Sequence, residues 1–185
     1  FYILGYKSKD ILKILTLQNV EDIYINQKVN NDNIILNLTM NLGLNDGNGI
    51  IRLINIFLEH KNISNNITLK ELYKIYPIEF IILVSNITNN KQELISYKTN
   101  GDMPVNLAIR ASCSIPLLFT PIKYKDNIFV DGGFITDMKS NFIDEKTLIL
   151  RLHTSKYYET NDSLGNIFDY IKTIFQTILM QTQFY

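Results

Sequence analysis

One carboxylate in this sequence lies where α/β proteins commonly hold a catalytic group. Residues 128–130 are continuously apolar and predict a short buried strand, and Asp131 follows them directly, before Gly132 and Gly133. An acid at the end of a buried strand, next to a glycine turn, is typical of catalytic positions in α/β folds. Asp131 is therefore the candidate catalytic residue of the chain.

Two serines and two histidines could join such a carboxylate in a Ser-His-Asp triad. Ser112 and Ser114 lack the flanking glycines of a nucleophile elbow and come shortly before Pro116. Local hydrogen bonding at a helix end is the favoured interpretation of both serines. His60 falls on the polar side of a predicted helix, and we expect His60 and His153 to be surface residues.

Two further side chains in this region receive structural interpretations. We expect Arg110 to be a structural cation on its helix rather than a catalytic group. Cys113 is the single cysteine of the chain, which excludes an internal disulfide and a metal site built from cysteines.

The glycine-rich stretch 43–49 could suggest a ligand-binding loop. It has neither the G-x-G-x-x-G spacing nor the Walker spacing of a phosphate loop. It also lacks the alternating ligands and the closing Glu of a calcium loop. We therefore expect a turn that leads into a helix over residues 50–60 with one apolar face.

Local signals predict the helices around these motifs. Asp102 is a candidate N-cap, and Pro104 suits the first turn of the short helix that follows it. Thr68 and Glu71 form a capping box, which predicts a helix to about residue 75. Residues 1–17 predict the tail of one helix, a turn at Gly5 and a second helix capped by Ser8, whereas residues 19–33 predict a loop.

Three apolar segments predict one sheet with helices on both faces. These segments are residues 80–87, 128–130 and 147–152. Residues 93–97 are expected to return antiparallel to the first strand, and residues 125–127 to form a hairpin turn.

A last helix is predicted to begin at Asp162 or Ser163. It carries a wide apolar stripe without a basic opposite face. This pattern favours packing against the sheet over a helix that lies on a membrane surface.

Length and composition limit the classes of function. A chain of 185 residues with 46% hydrophobic residues fits one globular domain with a sizeable core. Lys+Arg and Asp+Glu both number 18, and no basic stripe with interleaved aromatic residues indicates a nucleic-acid partner. No apolar run approaches the ~20 residues of a membrane span, so we expect an intracellular protein that is soluble or peripheral to a membrane.

In these motifs the chain resembles the patatin-like phospholipase family. Asp131, Gly132 and Gly133 match the D-G-G/A motif of that family. Residues 108–121 match its A-x-R-A-S-x-S-I-P-x-x-F-x-P pattern, and residues 102–104 match a recurrent D-M-P just upstream. The resemblance extends over most of the chain, but agreement at the level of motifs is confined to residues 102–133.

The resemblance implies a three-layer α/β/α fold and a serine hydrolase with a two-residue catalytic unit. In the family, the serine of a G-x-S-x-G elbow attacks an acyl ester, and a glycine-rich loop supplies the oxyanion hole. The aspartate of D-G-G/A is the base for that serine. By resemblance Asp131 is this base, and the unit requires no metal or other cofactor.

The nucleophilic serine and the oxyanion loop of such an enzyme are both missing from the sequence. Neither G-x-S-x-G nor a Gly-Gly-Gly-type loop occurs in the 185 residues, and both precede the position of Phe1 in the order of the family. We therefore expect residues 1–185 to be a partial patatin-like domain, incomplete at its N-terminus and inactive alone.

One departure from the family concerns the residues after Gly133. Many members continue with N-x-P, whereas this chain has Asp137 in the asparagine place and Lys139 in the proline place. The turn after Gly133 is therefore expected to differ. Negative charge on Asp137 would also raise the pKa of Asp131 by repulsion between like charges.

The resulting prediction is a lipid acyl hydrolase that cleaves fatty-acyl esters of phospholipids or related lipids and contacts a membrane surface. The alternative is a non-catalytic patatin-like module that binds lipids or other proteins after loss of its nucleophile. An unrelated α/β scaffold with a chance D-G-G would be favoured if the order of the motifs failed in a structure.

Overall fold

A computed structural model describes residues 1–17, 34–134 and 173 of the chain. The chain divides into two compact units, Phe1–Ile135 and Thr136–Tyr185, and the elements described below belong to the first. The predicted loop 19–33 and strand 147–152 lie outside the described residues, and so does the last predicted helix, except for helical Thr173. The expectation of one partial domain over residues 1–185 stays a prediction.

Five α-helices and six strands make up the described part of the first unit. The helices are α1 (Ser8–Leu17), α2 (Ile34–Asn41), α3 (Asn48–Glu59), α4 (Leu69–Ile75) and α5 (Val105–Ser112). The strands are β1 (Gly43–Asn45), β2 (Ile82–Asn86), β3 (Lys91–Ile95), β4 (Leu117–Phe119), β5 (Ile122–Tyr124) and β6 (Asn127–Asp131). Short 3₁₀ helices span Tyr2–Leu4 and Gly132–Phe134. The structure confirms the predicted α/β class.

The N-terminal segment follows the predicted order of helix, turn and helix. The first helix is a 3₁₀ turn, and Gly5 ends it in the left-handed region at φ 74°. Ser8 is the first residue of α1 rather than the residue before it, so its prediction as the N-cap is wrong. The reason is local, because the Asp10 carboxylate accepts the main-chain N–H of Lys7 at 3.2 Å and closes the first turn.

The apolar face predicted for residues 50–60 forms the centre of the core. In α3, Ile50, Leu53, Ile54 and Leu58 are buried as expected, and Phe57 is completely buried. The α3 face packs in one cluster with residues of α5 and of the sheet, which include Val84, Ile95, Ala108 and Phe129.

The capping box at the start of α4 has the predicted geometry. The Thr68 hydroxyl accepts the N–H of Glu71 at 3.3 Å, and the Glu71 carboxylate accepts the N–H of Thr68 at 2.9 Å. The helix runs to Ile75, as predicted.

Strands β3, β2, β6 and β5 form one antiparallel sheet in that order. The predicted segments 80–87 and 128–130 therefore lie in a single sheet, although β2 begins only at Ile82. A strand returns antiparallel to β2 as predicted, but it spans residues 91–95 instead of 93–97. The predicted hairpin turn joins β5 to β6 at Lys125 and Asp126, since Asn127 already belongs to β6.

A second, two-stranded sheet was not predicted. Strand β1 pairs with β4 in parallel, with Gly43 opposite Leu117 and Asn45 opposite Phe119. The expectation of a simple turn over residues 43–49 is therefore wrong for the part that forms β1. The turn is confined to Asp46 and Gly47, after which α3 begins.

The start of α5 also differs from the prediction, because Pro104 rather than Asp102 occupies the N-cap. The main chain supplies the partners that a capping side chain would provide. Thr68 and Pro104 form an isolated antiparallel bridge, and the N–H of Val105 donates to the carbonyl of Ile67 at 2.9 Å. Asp102 is therefore not needed as a cap.

Candidate functional site

Asp131 ends the strand that lies between β2 and β5 in the four-stranded sheet. It stands opposite Val84 in the antiparallel register with β2. Its main-chain N–H donates to the carbonyl of Ser114 at 3.0 Å. Two separate segments, β2 and the chain after α5, therefore fix the main chain that carries this half-buried carboxyl group.

The two glycines after Asp131 permit two close approaches. A Cβ atom at Gly132 would lie 2.6 Å from the carbonyl oxygen of Leu83, so the main chain can pass β2 here only without a side chain. The N–H of Gly133 donates to Asp131 Oδ1 at 2.8 Å, and a Cβ atom at Gly133 would lie 3.1 Å from that oxygen. The turn therefore excludes a side chain at Gly132 and leaves little space for one at Gly133.

Burial raises the pKa of Asp131 above its ordinary value of 3.8, and the hydrogen bond from the N–H of Gly133 opposes this shift. Desolvation penalises the ionised form, whereas a donor aimed at the carboxylate stabilises it. A higher pKa makes the ionised carboxylate a stronger proton acceptor. The environment of Asp131 therefore suits a general base.

Cys113 is a neighbour of Asp131 that reasoning from the sequence missed. Its side chain is half-buried. Burial raises the pKa of the thiol, and the negative charge of Asp131 raises it further. A thiol held in this way is a weak nucleophile, because the thiolate is the reactive form. No sign of this proximity is present in the sequence, because Cys113 and Asp131 come together only through the fold, where the Ser114 carbonyl accepts the N–H of Asp131.

Ser114 makes the local hydrogen bonds that the sequence predicted at this helix end. Its hydroxyl donates to the carbonyl of Arg110 at 2.8 Å, and Arg110 Nη1 donates to the same hydroxyl at 2.6 Å. Ser114 is completely buried, whereas Ser112 at the end of α5 is half-buried. Ser114 therefore links Arg110 to the main chain of Asp131, whose N–H its carbonyl accepts.

Arg110 is the largest fully buried side chain of the described residues. Its guanidinium group donates to main-chain oxygens and to Ser114, which confirms the expectation of a structural cation. The sequence did not indicate its complete burial. An arginine four residues before a serine was the only local sign of their contact.

The remaining candidates lie away from this site or outside the description. His60 is exposed, as predicted, next to the ring of Tyr6. His153, Asp137 and Lys139 lie outside the described residues, so their predicted roles stay predictions.

Residues 1–17 and 34–134, the part of the chain that the structure describes, contain no group of three His, Cys, Asp or Glu side chains that could hold a metal ion. No helix in this part of the chain combines the length and the apolar character that crossing a membrane requires.

Comparison with known proteins gives two matches. The family model described as patatin-like phospholipase matches residues 1–141 of the chain. A protein of Invertebrate iridescent virus 6, named Probable lipid hydrolase 463L, is 34% identical over 91 residues, which cover 49% of this chain and 31% of that protein. The chain therefore spans about a third of the length of this curated relative.

Proposed function

Because the chain belongs to the patatin-like phospholipase family, we propose that the full-length protein hydrolyses fatty-acyl ester bonds of phospholipids or related lipids at a membrane surface. The observation that carries this proposal is Asp131, a carboxyl group of raised pKa on the D-G-G turn of a central strand. The name of the viral relative, a probable lipid hydrolase, supports the same class of substrate.

Asp131 is assigned the role of base in a Ser-Asp dyad. The serine hydroxyl would give its proton to the Asp131 carboxylate while its oxygen attacks the ester carbonyl carbon. The C–O bond to the alcohol then breaks, and the alcohol leaves with that proton. Water next attacks the acyl carbon while Asp131 again accepts a proton. The bond from that carbon to the serine oxygen breaks, Asp131 returns the proton to this oxygen, and the fatty acid is released. Each step balances without a metal or other cofactor.

The serine of this dyad is not among the 185 residues, because the sequence contains no G-x-S-x-G. We place it in the part of the full-length protein that precedes Phe1, which is its position in the order of the family. The chain alone would then lack both the nucleophile and the oxyanion loop. We expect it to be inactive as an esterase.

The missing elbow is also the observation that favours a second candidate function. If no serine precedes Phe1, the protein would be a non-catalytic patatin-like module that binds lipids or other proteins. The two candidates differ in the covalent reactivity of the full-length protein, since only an activated serine forms an adduct with a fluorophosphonate.

We predict that a fluorophosphonate probe labels the full-length protein at one serine and leaves the 185-residue chain unlabelled. Mass spectrometry would map the adduct to a G-x-S-x-G sequence. The matched control is the full-length protein with that serine replaced by alanine, which should remain unlabelled. A full-length protein that takes up no probe, yet binds phospholipid vesicles, would support the module instead of the hydrolase.

A further inference from the structure

The guanidinium group of Arg110 joins the end of its own helix to Thr120 and to Asp46, which is distant in the sequence. Its Nη2 donates to the main-chain carbonyls of Asp46 at 2.9 Å and Thr120 at 3.0 Å. Its Nη1 donates to the hydroxyl of Ser114 at 2.6 Å. The face of the group also lies 5.0 Å from the ring centre of Phe119. A planar group with several fixed donors is suited to such a junction.

The charge of Arg110 is buried without a close ion pair among the described residues, where Lys91–Glu93 and Lys98–Glu79 are the ion pairs found. Burial lowers the pKa of the guanidinium, while the charges of Cys113 and Asp46 oppose that shift. Its Nε atom is buried and has no hydrogen-bond partner in the described part of the chain. Burying a charged group without an ion pair costs free energy. We therefore expect Arg110 to be retained for the geometry that it imposes on the groups around it.

Ser114 connects this junction to the candidate base. Its hydroxyl is held by Arg110 on one side, and its main-chain carbonyl accepts the N–H of Asp131 at 3.0 Å on the other. A displacement of the guanidinium would therefore move Ser114 and, through one hydrogen bond, the main chain of Asp131.

We propose that Arg110 is a positioning residue for Asp131. The guanidinium group is anchored by the carbonyls of Asp46, in the Asp46–Gly47 turn, and Thr120. It holds Ser114, which in turn holds the main chain that carries the Asp131 carboxyl group. The proposal rests on the proposed role of Asp131 as base. Lysine cannot take this place, because one ammonium group does not reproduce the planar fork that contacts three acceptors.

Gly47 offers a way to displace the guanidinium without changing its charge. A Cβ atom at Gly47 would overlap the Nε, Cζ and Nη2 atoms of Arg110. Gly47 also has φ 68°, so alanine there is strained by its backbone as well. Gly5 is the matched control, because it has φ 74° and a Cβ atom there would meet nothing within 4 Å. Gly5→Ala reproduces the strain without the displacement.

The experiment compares Gly47→Ala and Arg110→Lys with Gly5→Ala and Ser112→Ala in the full-length protein. The first readout is the pKa of the Asp131 carboxyl, titrated by ¹³C NMR and assigned with Asp131→Asn. We expect it to fall toward its ordinary value in Gly47→Ala and Arg110→Lys, because a loosened carboxyl becomes hydrated. It should stay unchanged in both controls. Cys113 does not interfere, since its raised pKa places its titration far from the acidic range.

The second readout is hydrogen exchange at the Asp131 amide. The amide of Ile87 is the internal reference, since it donates to the carbonyl of Ile128 near the other end of β6. Exchange at Asp131 should accelerate in Gly47→Ala and Arg110→Lys relative to Ile87, whereas a merely structural loss would accelerate both. Turnover per active site should fall about 10- to 100-fold at unchanged KM, as expected for a misplaced catalytic group.

Unchanged pKa and unchanged relative exchange at Asp131 in both Arg110→Lys and Gly47→Ala would overturn the proposal. If these two variants do not fold, Ser114→Ala decides by the same readouts, since it deletes only the hydroxyl that Arg110 holds. Neither readout uses catalysis. A full-length Asp131→Asn variant that keeps its activity would therefore refute the dyad while leaving the test of Arg110 intact.

Discussion

At the level of single residues, the turn after Asp131 leaves no room for a side chain at Gly132. Gly132 passes the main chain of β2 at Leu83, and Gly133 brings its N–H to the carboxylate of Asp131. The N–H of Gly133 thus supplies a donor that opposes the effect of burial on the pKa of the Asp131 carboxyl group.

We predict that Gly132→Ala lowers the free energy of unfolding by about 1–3 kcal/mol, the usual range for overpacking. The physical reason is that the carbonyl of Leu83, 2.6 Å from the new Cβ atom, belongs to a paired strand and cannot move freely. Urea denaturation of the full-length protein measures the loss. Gly133→Ala is the matched control, because its nearest atom is a carboxylate oxygen at 3.1 Å. Equal stability of Gly132→Ala and the natural protein would contradict the prediction.

The sequence predicted Asp131 as the candidate catalytic residue because its signal is local, an acid between an apolar strand and two glycines, and the family resemblance added the role of base. Arg110 and Cys113 carried no such signal. The burial of Arg110 depends on the carbonyls of Asp46 and Thr120, and the first of these lies in a turn far away in the sequence. Contacts of that kind arise only when the chain folds, so a pattern within one segment does not reveal them.

At the level of elements, the same distinction separates the correct predictions from the wrong ones. The capping box at Thr68 and the hairpin turn at residues 125–127 are encoded by adjacent residues, and both are present. Strand β1 was missed because its parallel partner β4 lies more than seventy residues away along the chain. The prediction of Asp102 as the N-cap of α5 was wrong because main-chain bonds to residues 67 and 68 take the place of a capping side chain.

We predict that Thr68→Ala destabilises the protein by about 0.5–2 kcal/mol, the typical effect of removing a capping side chain. The change leaves the N–H of Glu71 without its partner at the start of α4. Thr16→Ala is the control, because that exposed hydroxyl donates only within α1, to the carbonyl of Leu12. Thermal unfolding followed by circular dichroism compares the two. A larger effect of Thr16→Ala than of Thr68→Ala would show that the capping box contributes little.

At the level of the whole molecule, one core unites the elements that hold the candidate base. Phe57 of α3 and Phe129 of β6 are buried in the same cluster, and α5 contributes Ala108 to it. The residue before Asp131, Val130, is buried as well. Asp131 therefore extends from a strand that is anchored by the core of the first unit, which is the rigid placement that a general base requires.

The membership in the patatin-like phospholipase family rests on residues 1–141, whereas the proposed activity depends on a serine that is not identified within these 185 residues. The fold class and the position of Asp131 could be predicted from the sequence because they follow from apolar periodicity and one compact motif. The partner of Asp131 could not be derived from these 185 residues, because no serine in them has an elbow sequence. The central claim is therefore the role of Asp131 itself.

The most direct measurement of that claim is the turnover of a short-chain ester by full-length Asp131→Asn. Asparagine keeps the size of the side chain and an oxygen that can accept the N–H of Gly133, but it cannot take the serine proton. Asp126→Asn in the exposed turn before β6 is the matched control, and circular dichroism checks that both variants fold. We predict that Asp131→Asn lowers turnover by about 10²–10⁴ while Asp126→Asn leaves it unchanged. A folded Asp131→Asn variant that keeps more than about a tenth of the natural turnover would contradict the dyad, given that expectation.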